Sequence, residues 1–299
     1  MKIAITGGTG FAGNEMTKLF TQHGHEVFIL TRSPKPSDNG IHYVEWLTDG
    51  AEPEKKLADI DAFVNLAGSS INDGRWDDEQ KKLIYSSRVE STNEVLRIIK
   101  EMERKPEVLV NASAVGIYPA STEKSYTEKS TERGDDFLAE TVIEWERLAD
   151  EAKDFGVRVA YGRFGIILGK KEGALPLMAL PYKLFGGGTV GSGRQWLSWI
   201  HIHDVARAVL FAIETEELSG PFNVTAPYPK RMKDFGKEIG HALGRPHWFP
   251  VPEFALKAVL GDKSRLVLEG QRVLPEVLQQ HGFEFAYPDL RSALADIYK

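Results

Sequence analysis

The 299-residue sequence contains no cysteine. Disulfides, thiolate nucleophiles and thiolate-held metals are thereby excluded, and the absence fits a reducing compartment. It has no basic excess: 43 acids outnumber 37 lysines and arginines, giving a formal net charge of -6. That balance argues against a nucleic-acid groove, though not against an anionic small ligand held by local charge. No apolar run approaches the roughly 20 residues of a membrane-spanning helix. Met1 to Ile5 lead straight into a glycine turn, which leaves no space for a secretory leader. We therefore expect a cytoplasmic protein with no nucleic-acid or membrane partner. No Gly-x-Ser-x-Gly elbow is present, so a hydrolase triad is not expected. His201 and His203 alternate without a third ligand at useful spacing, so no metal site is expected.

The chain alternates strand and helix patterns over its first half. KIAIT (2–6), EVFIL (26–30), IHYVEW (41–46), DAFVNLAG (61–68), EVLVNASA (107–114) and GVRVAYGRFG (156–165) read as buried strands. Helical spacing predicts helices over 11–23, 78–102 and about 138–149. This order predicts an α/β fold: a Rossmann-like, doubly wound parallel sheet. We expect an NADP-binding domain over 1–165 and a smaller, interleaved C-terminal substrate region over 166–299. SWIHI and PFNVT, within 198–225, are expected to return to the sheet or its edge, with Asp204 capping a helix that runs to about Glu217.

The first strand ends in ITGGTGFAG (5–13). Gly7, Gly10 and Gly13 suit a tight turn, close approach of a pyrophosphate, and close helix–strand packing, with Thr9 and Phe11 between them. The second strand ends in LTRSPK (30–35), where an NAD site would carry an acid. Arg32 stands there instead, flanked by Thr31 and Ser33. A guanidinium forks onto a phosphate, so Arg32 predicts NADP over NAD.

These motifs resemble the extended short-chain dehydrogenase/reductase superfamily. The likeness rests on TGGTGFAG, NLAG (65–68), NASAVGIYP (111–119), YGRFGIILG (161–169) and GSGRQWLSWIHIHDVARA (191–208). LTRSP, NLAGSSIN, GRW, SSRVEST and GQRVLPEVL resemble a narrower sub-family, the epimerase family proteins of the 39U type. That resemblance implies an NADP cofactor near Arg32, Leu66, Ala67 and Arg88, with Gly68 in the turn along the adenosine half. It also matches Arg163 to a superfamily arginine after the sixth strand.

One superfamily feature is missing. Its members carry a Tyr-x-x-x-Lys pair on the helix after the fifth strand, for proton transfer. In GDDFLAETVIEWERLA (134–149) there is no Tyr, Lys or His. Tyr118 matches a strand-end tyrosine, but four residues back lies Ala114; Ser113 is one position off and so on the opposite face unless a bulge intervenes. Ser113 and Tyr118 are the catalytic candidates that remain. Tyr126, Lys124 and Lys129 lie in a polar loop and are expected at the solvated surface. Leu197 falls where the superfamily places an arginine on a nucleotide-sugar diphosphate, and with Trp196 and Trp199 it predicts a more apolar substrate pocket. Two readings follow: an NADP-dependent oxidoreductase or epimerase acting on a small molecule, or a non-catalytic NADP sensor or scaffold.

Overall fold

Alternating side chains in the short apolar runs bury on both sides of a sheet, and the intervening helices cover those sides. The computed structural model describes all residues, 1–299. Its first half comprises β1 (Lys2–Thr6), α1 (Phe11–Gln22), β2 (Glu26–Thr31), β3 (Ile41–Glu45), β4 (Ala62–Asn65), α2 (Asp78–Glu101), β5 (Val108–Ala114), β6 (Ser125–Tyr126), α3 (Phe137–Asp150) and β7 (Arg158–Phe164). There follow β8 (Ile166–Leu168), α4 (Leu175–Lys183), β9 (Trp196–Leu197), β10 (Trp199–His201), α5 (Ile202–Glu214), β11 (Gly220–Val224), β12 (Lys230–Arg231) and α6 (Met232–Leu243). The chain ends with α7 (Glu253–Leu260), α8 (Arg265–Leu268), β13 (Arg272–Val273), α9 (Glu276–Gln280) and α10 (Leu290–Tyr298).

Seven parallel strands form one sheet in the order β11-β7-β5-β4-β1-β2-β3. Ile3, Ile5, Val27 and Ile29 pack on one side against Met16 and Phe20 of α1 and Val205 and Val209 of α5. Ala4, Leu30, Phe63 and Leu109 pack on the other against Val95, Ile98 and Ile99 of α2. The expected α/β, Rossmann-like, doubly wound sheet is thus present, and strand order reverses beside β1, where such sheets hold ligands. No helix is long and apolar enough to cross a membrane.

The C-terminal region has its own core, which includes Leu175, Tyr182, Leu197, Trp199, Phe235 and Leu294. Three expectations change here. β11 does join the large sheet, but Trp199–His201 pairs with Ile166–Leu168 in a separate two-stranded sheet. Leu197 and Trp199 are core residues, so they do not line an apolar pocket; Trp199 gives its indole N–H to the Tyr228 carbonyl at 3.2 Å. Asp204 does not cap α5. His201 does, accepting the His203 amide at 3.1 Å. Asp204, fully buried, instead accepts the amides of Ala286 and Tyr287 at 2.9 Å each and pairs with Arg207 at 2.9 Å. It pins the chain's last segment to the helix that covers the sheet.

The segment between α7 and β13 also reaches back to the first half. Lys263 donates to the carbonyls of Asn72 and Gly74, Asp262 pairs with Lys81 at 2.7 Å, and Arg265 with Asp136 at 3.4 Å.

Candidate cofactor and active site

The glycine turn owes its shape to missing side chains. Gly7 adopts φ +66°, and a Cβ on Gly13 would lie 2.3 Å from the Gly7 carbonyl oxygen. Only glycine fits at Gly13, so α1 sits hard against the turn. A Cβ on Gly10 would meet only the Gly7 oxygen, at 3.3 Å, which leaves the outer surface of the turn open. No side chain caps α1 and no acid occupies its first turn. Its leading amides therefore face outward, an arrangement suited to an anion. The exposed Thr9 accepts the Asn14 side-chain amide on its carbonyl at 3.0 Å. The Phe11 ring fills the space beside Gly169 and Gly173, where added Cβ atoms would come within 2.5 and 2.9 Å of ring carbons.

Next to this turn, the end of β2 presents Arg32 and Ser33 to solvent, with the Ser33 amide donating to the Thr31 hydroxyl at 3.2 Å. Arg32 is held by no carboxylate. The end of β4 lies on the other side: an added Cβ on Gly7 would stand 3.0 Å from the Leu66 backbone. The amides of Leu66 and Ala67 donate to the Thr6 hydroxyl at 3.1 and 3.2 Å, and Thr6 donates to Asn65 at 2.6 Å. Asn65 in turn donates to Thr92 and Asn111, fixing β1, β4, β5 and α2 together. Gly68 packs on Arg88, whose guanidinium donates to the Ser69 and Ile84 carbonyls and lies 5.0 Å from the Trp145 ring centre. Burial without a carboxylate partner pushes the Arg88 pKa down to about 10. An anion arriving here would complete a charge that the fold leaves uncompensated.

Ser113, Tyr118 and Arg163 come together elsewhere, at the ends of β5 and β7. Arg163 is 2% exposed; its fork closes on Glu146 of α3 at 2.7 Å through both Nε and Nη2. It also donates to the Tyr118 hydroxyl at 2.8 Å. β7 is three strands from β1, so Arg163, engaged by Glu146 and Tyr118, lies apart from the glycine turn. Ser113 faces α3 and donates to the same Glu146 at 2.6 Å. One turn of tighter helix, Val115–Ile117, separates the end of β5 from Tyr118. The Tyr118 hydroxyl donates to Asn223 at 3.0 Å, and burial raises its pKa. Tyr126 stacks on Tyr118 at 5.3 Å and is buried, which corrects its expected surface position; Lys124 and Lys129 are exposed. Gln271 and Leu274, from the C-terminal segment, bond the Tyr118 and Tyr126 carbonyls over this cluster at 3.0 and 2.9 Å.

Sequence reasoning from the superfamily's pattern misses Glu146, but its position in α3 carries a signal. It lies four residues after Val142 and three before Ala149, on the margin of the buried stripe of α3. An acid in that position needs a partner.

Residues 3–225 match the family model described as the NAD dependent epimerase/dehydratase family. The chain belongs to that family. Residues 251–297, which carry the segment pinned by Asp204, match a domain of unknown function, DUF1731. The chain is 50% identical to an epimerase family protein, YfhF, of Bacillus subtilis (strain 168), covering 99% of this chain and 98% of that one. It is similar to human epimerase family protein SDR39U1 (isoform 2), solved with NADPH, at 33% identity and a TM-score of 0.88, with 100% of this chain and 99% of that chain covered. It is also similar to a nucleoside-diphosphate sugar epimerase of Corynebacterium glutamicum, at 32% identity and a TM-score of 0.80, covering 100% of this chain and 58% of that chain. The resemblance to epimerase family proteins of the 39U type therefore stands.

Proposed function

We propose that this member of the epimerase/dehydratase family binds NADP(H) and acts on a small molecule as an oxidoreductase or epimerase. The observation that carries the reading is Arg32, exposed and unpaired at the end of β2 beside an uncapped glycine turn. The cofactor supplies hydride chemistry when bound. The chain's residues do the rest. Gly7, Gly10 and Gly13 admit a pyrophosphate to the start of α1, with Thr9 and Phe11 beside it. Arg32, with Thr31 and Ser33, takes the 2′-phosphate that NAD lacks. Leu66, Ala67 and Gly68 line the next strand end, and Arg88 offers a half-buried cation with no carboxylate partner.

In this reading the proton route runs through Ser113 and Glu146 instead of a Tyr/Lys pair. The Ser113 hydroxyl donates to Glu146; in the oxidation direction it would pass that proton to the carboxylate as it takes one from a substrate hydroxyl, and in the reduction direction both transfers run in reverse, while Arg163 holds Glu146 in place. One observation favours the second reading, a non-catalytic NADP sensor or scaffold: Ser113 and Tyr118 are 2% and 1% exposed, with their hydroxyls bonded to other side chains.

The two readings separate in one assay. Incubate the protein with NADPH and a panel of carbonyl and sugar-nucleotide compounds, and follow absorbance of the reduced nicotinamide. Turnover is expected on at least one compound, with Glu146→Gln lowering kcat by about 10² and leaving NADPH affinity unchanged. Tight NADPH binding with no oxidation across the panel supports the sensor.

A further inference from the structure

Eight large apolar side chains of the C-terminal region stand exposed in two chain segments: Leu177, Leu180, Leu184, Phe185, Trp248, Phe249, Phe254 and Val259. On α4 and just past its end, Leu177, Leu180 and Leu184 recur at helical spacing and form one stripe. The opposite stripe, Leu175, Ala179 and Tyr182, is the buried one. Trp248 joins this face to the second segment, giving its indole N–H to the Phe185 carbonyl at 2.8 Å while its ring stays 70% exposed. The backbone amides of Trp248 and Phe249 both bond Gly187. α7 continues from there with no buried residue.

The charge around this face runs against that of the whole chain. Residues 170–187 and 244–260 hold five cations and two acids, in a protein with a net charge of -6. Lys257 pairs with Glu253. Lys183, next to Leu184, and Arg245, 4.4 Å over the Phe185 ring, are exposed with no acid paired to them; Lys170 and Lys171 are also exposed and unpaired, in the turn that meets Phe11. Exposed leucine, phenylalanine and tryptophan inside a basic rim form an interfacial surface, apolar in the middle and cationic at the edge.

We propose that this face docks on the surface of an anionic phospholipid bilayer. A two-fold pairing with a second copy would bring two such basic rims together. The stripe lies exposed along the outer side of α4, which suits a flat, deformable surface. The expectation of no membrane partner rested on the lack of a spanning run, and surface docking requires none.

The test is co-sedimentation of the full chain with vesicles of phosphatidylcholine, alone or with roughly a third phosphatidylglycerol. Partitioning about tenfold stronger or more onto the anionic vesicles is expected, weakening as salt rises. The paired substitution Leu184→Glu and Phe185→Glu is expected to reduce it about tenfold with the thermal midpoint unchanged. Three results would overturn the proposal: no sedimentation, equal binding to neutral vesicles, or undiminished binding by the substituted chain. A concentration-dependent dimer that these substitutions abolish, without vesicle binding, would assign the face to a second copy instead.

Discussion

Replacing Asp204 with alanine is expected to lower the stability of the whole protein by about 3–5 kcal/mol. The carboxylate is fully buried and accepts two backbone amides, from Ala286 and Tyr287, besides pairing with Arg207. Alanine would leave both amides buried without acceptors and Arg207 without its acid. Each buried donor left unpaired costs about 1–3 kcal/mol. Because Asp204 fastens the C-terminal segment to α5, that segment should loosen first. Thermal unfolding should shift by roughly 10 °C, taking about 2–4 °C per kcal/mol in domains near this size. Hydrogen exchange should show the amides of residues 286 and 287 losing protection ahead of the sheet. A shift of only a degree or two, with those amides still protected, would remove Asp204 from this role.

The Arg163 cluster carries the second large effect. Arg163→Met should destabilise the fold by about 3 kcal/mol. The substitution removes both bonds to Glu146 and the donor to Tyr118, leaving a carboxylate that is only 13% exposed without its cation. Chemical denaturation measures this directly. The double variant Arg163→Met, Glu146→Leu is expected to recover most of the loss, because no unpaired charge then remains. If the double variant is less stable than Arg163→Met alone, the loss comes from packing and not from the stranded charge.

Asp204 also illustrates what a sequence conceals. An acid near a helix start reads as a cap, because capping is a local rule. Here the acid sits three residues past the capping His201, and the amides it accepts lie more than 80 residues further along the chain. Leu197 and Trp199 differ from expectation for a related reason: Leu197 stands where the superfamily has an arginine, which suggests an apolar pocket, and nothing local distinguishes a pocket wall from a core. Tyr126 looked solvated because its neighbours are charged, yet it stacks on Tyr118 beneath the C-terminal segment.

What was legible depended on short range. The strands β1, β2, β4, β5 and β7 follow from continuous apolar runs, and the glycine turn follows from three glycines at fixed spacing. The end of α1 and the limits of α2 fell within a residue of their expected places, α2 starting at an Asp77 cap. Position after the second strand was enough to single out Arg32. The superfamily's Tyr-x-x-x-Lys pattern does not point to Glu146; only its place on the buried margin of α3 marks it.

In the proposed function, Arg32 receives the 2′-phosphate of NADP. The most direct measurement is a titration of the wild-type protein and of Arg32→Asp with NADPH and with NADH, followed by calorimetry. The wild type should bind NADPH more tightly by at least about tenfold, since a charge-assisted fork contributes roughly 1.5–3 kcal/mol. Arg32→Asp should lose that preference or reverse it, with NADH binding little changed. Equal affinity of the wild type for the two cofactors, or an unaltered preference in Arg32→Asp, would contradict the account.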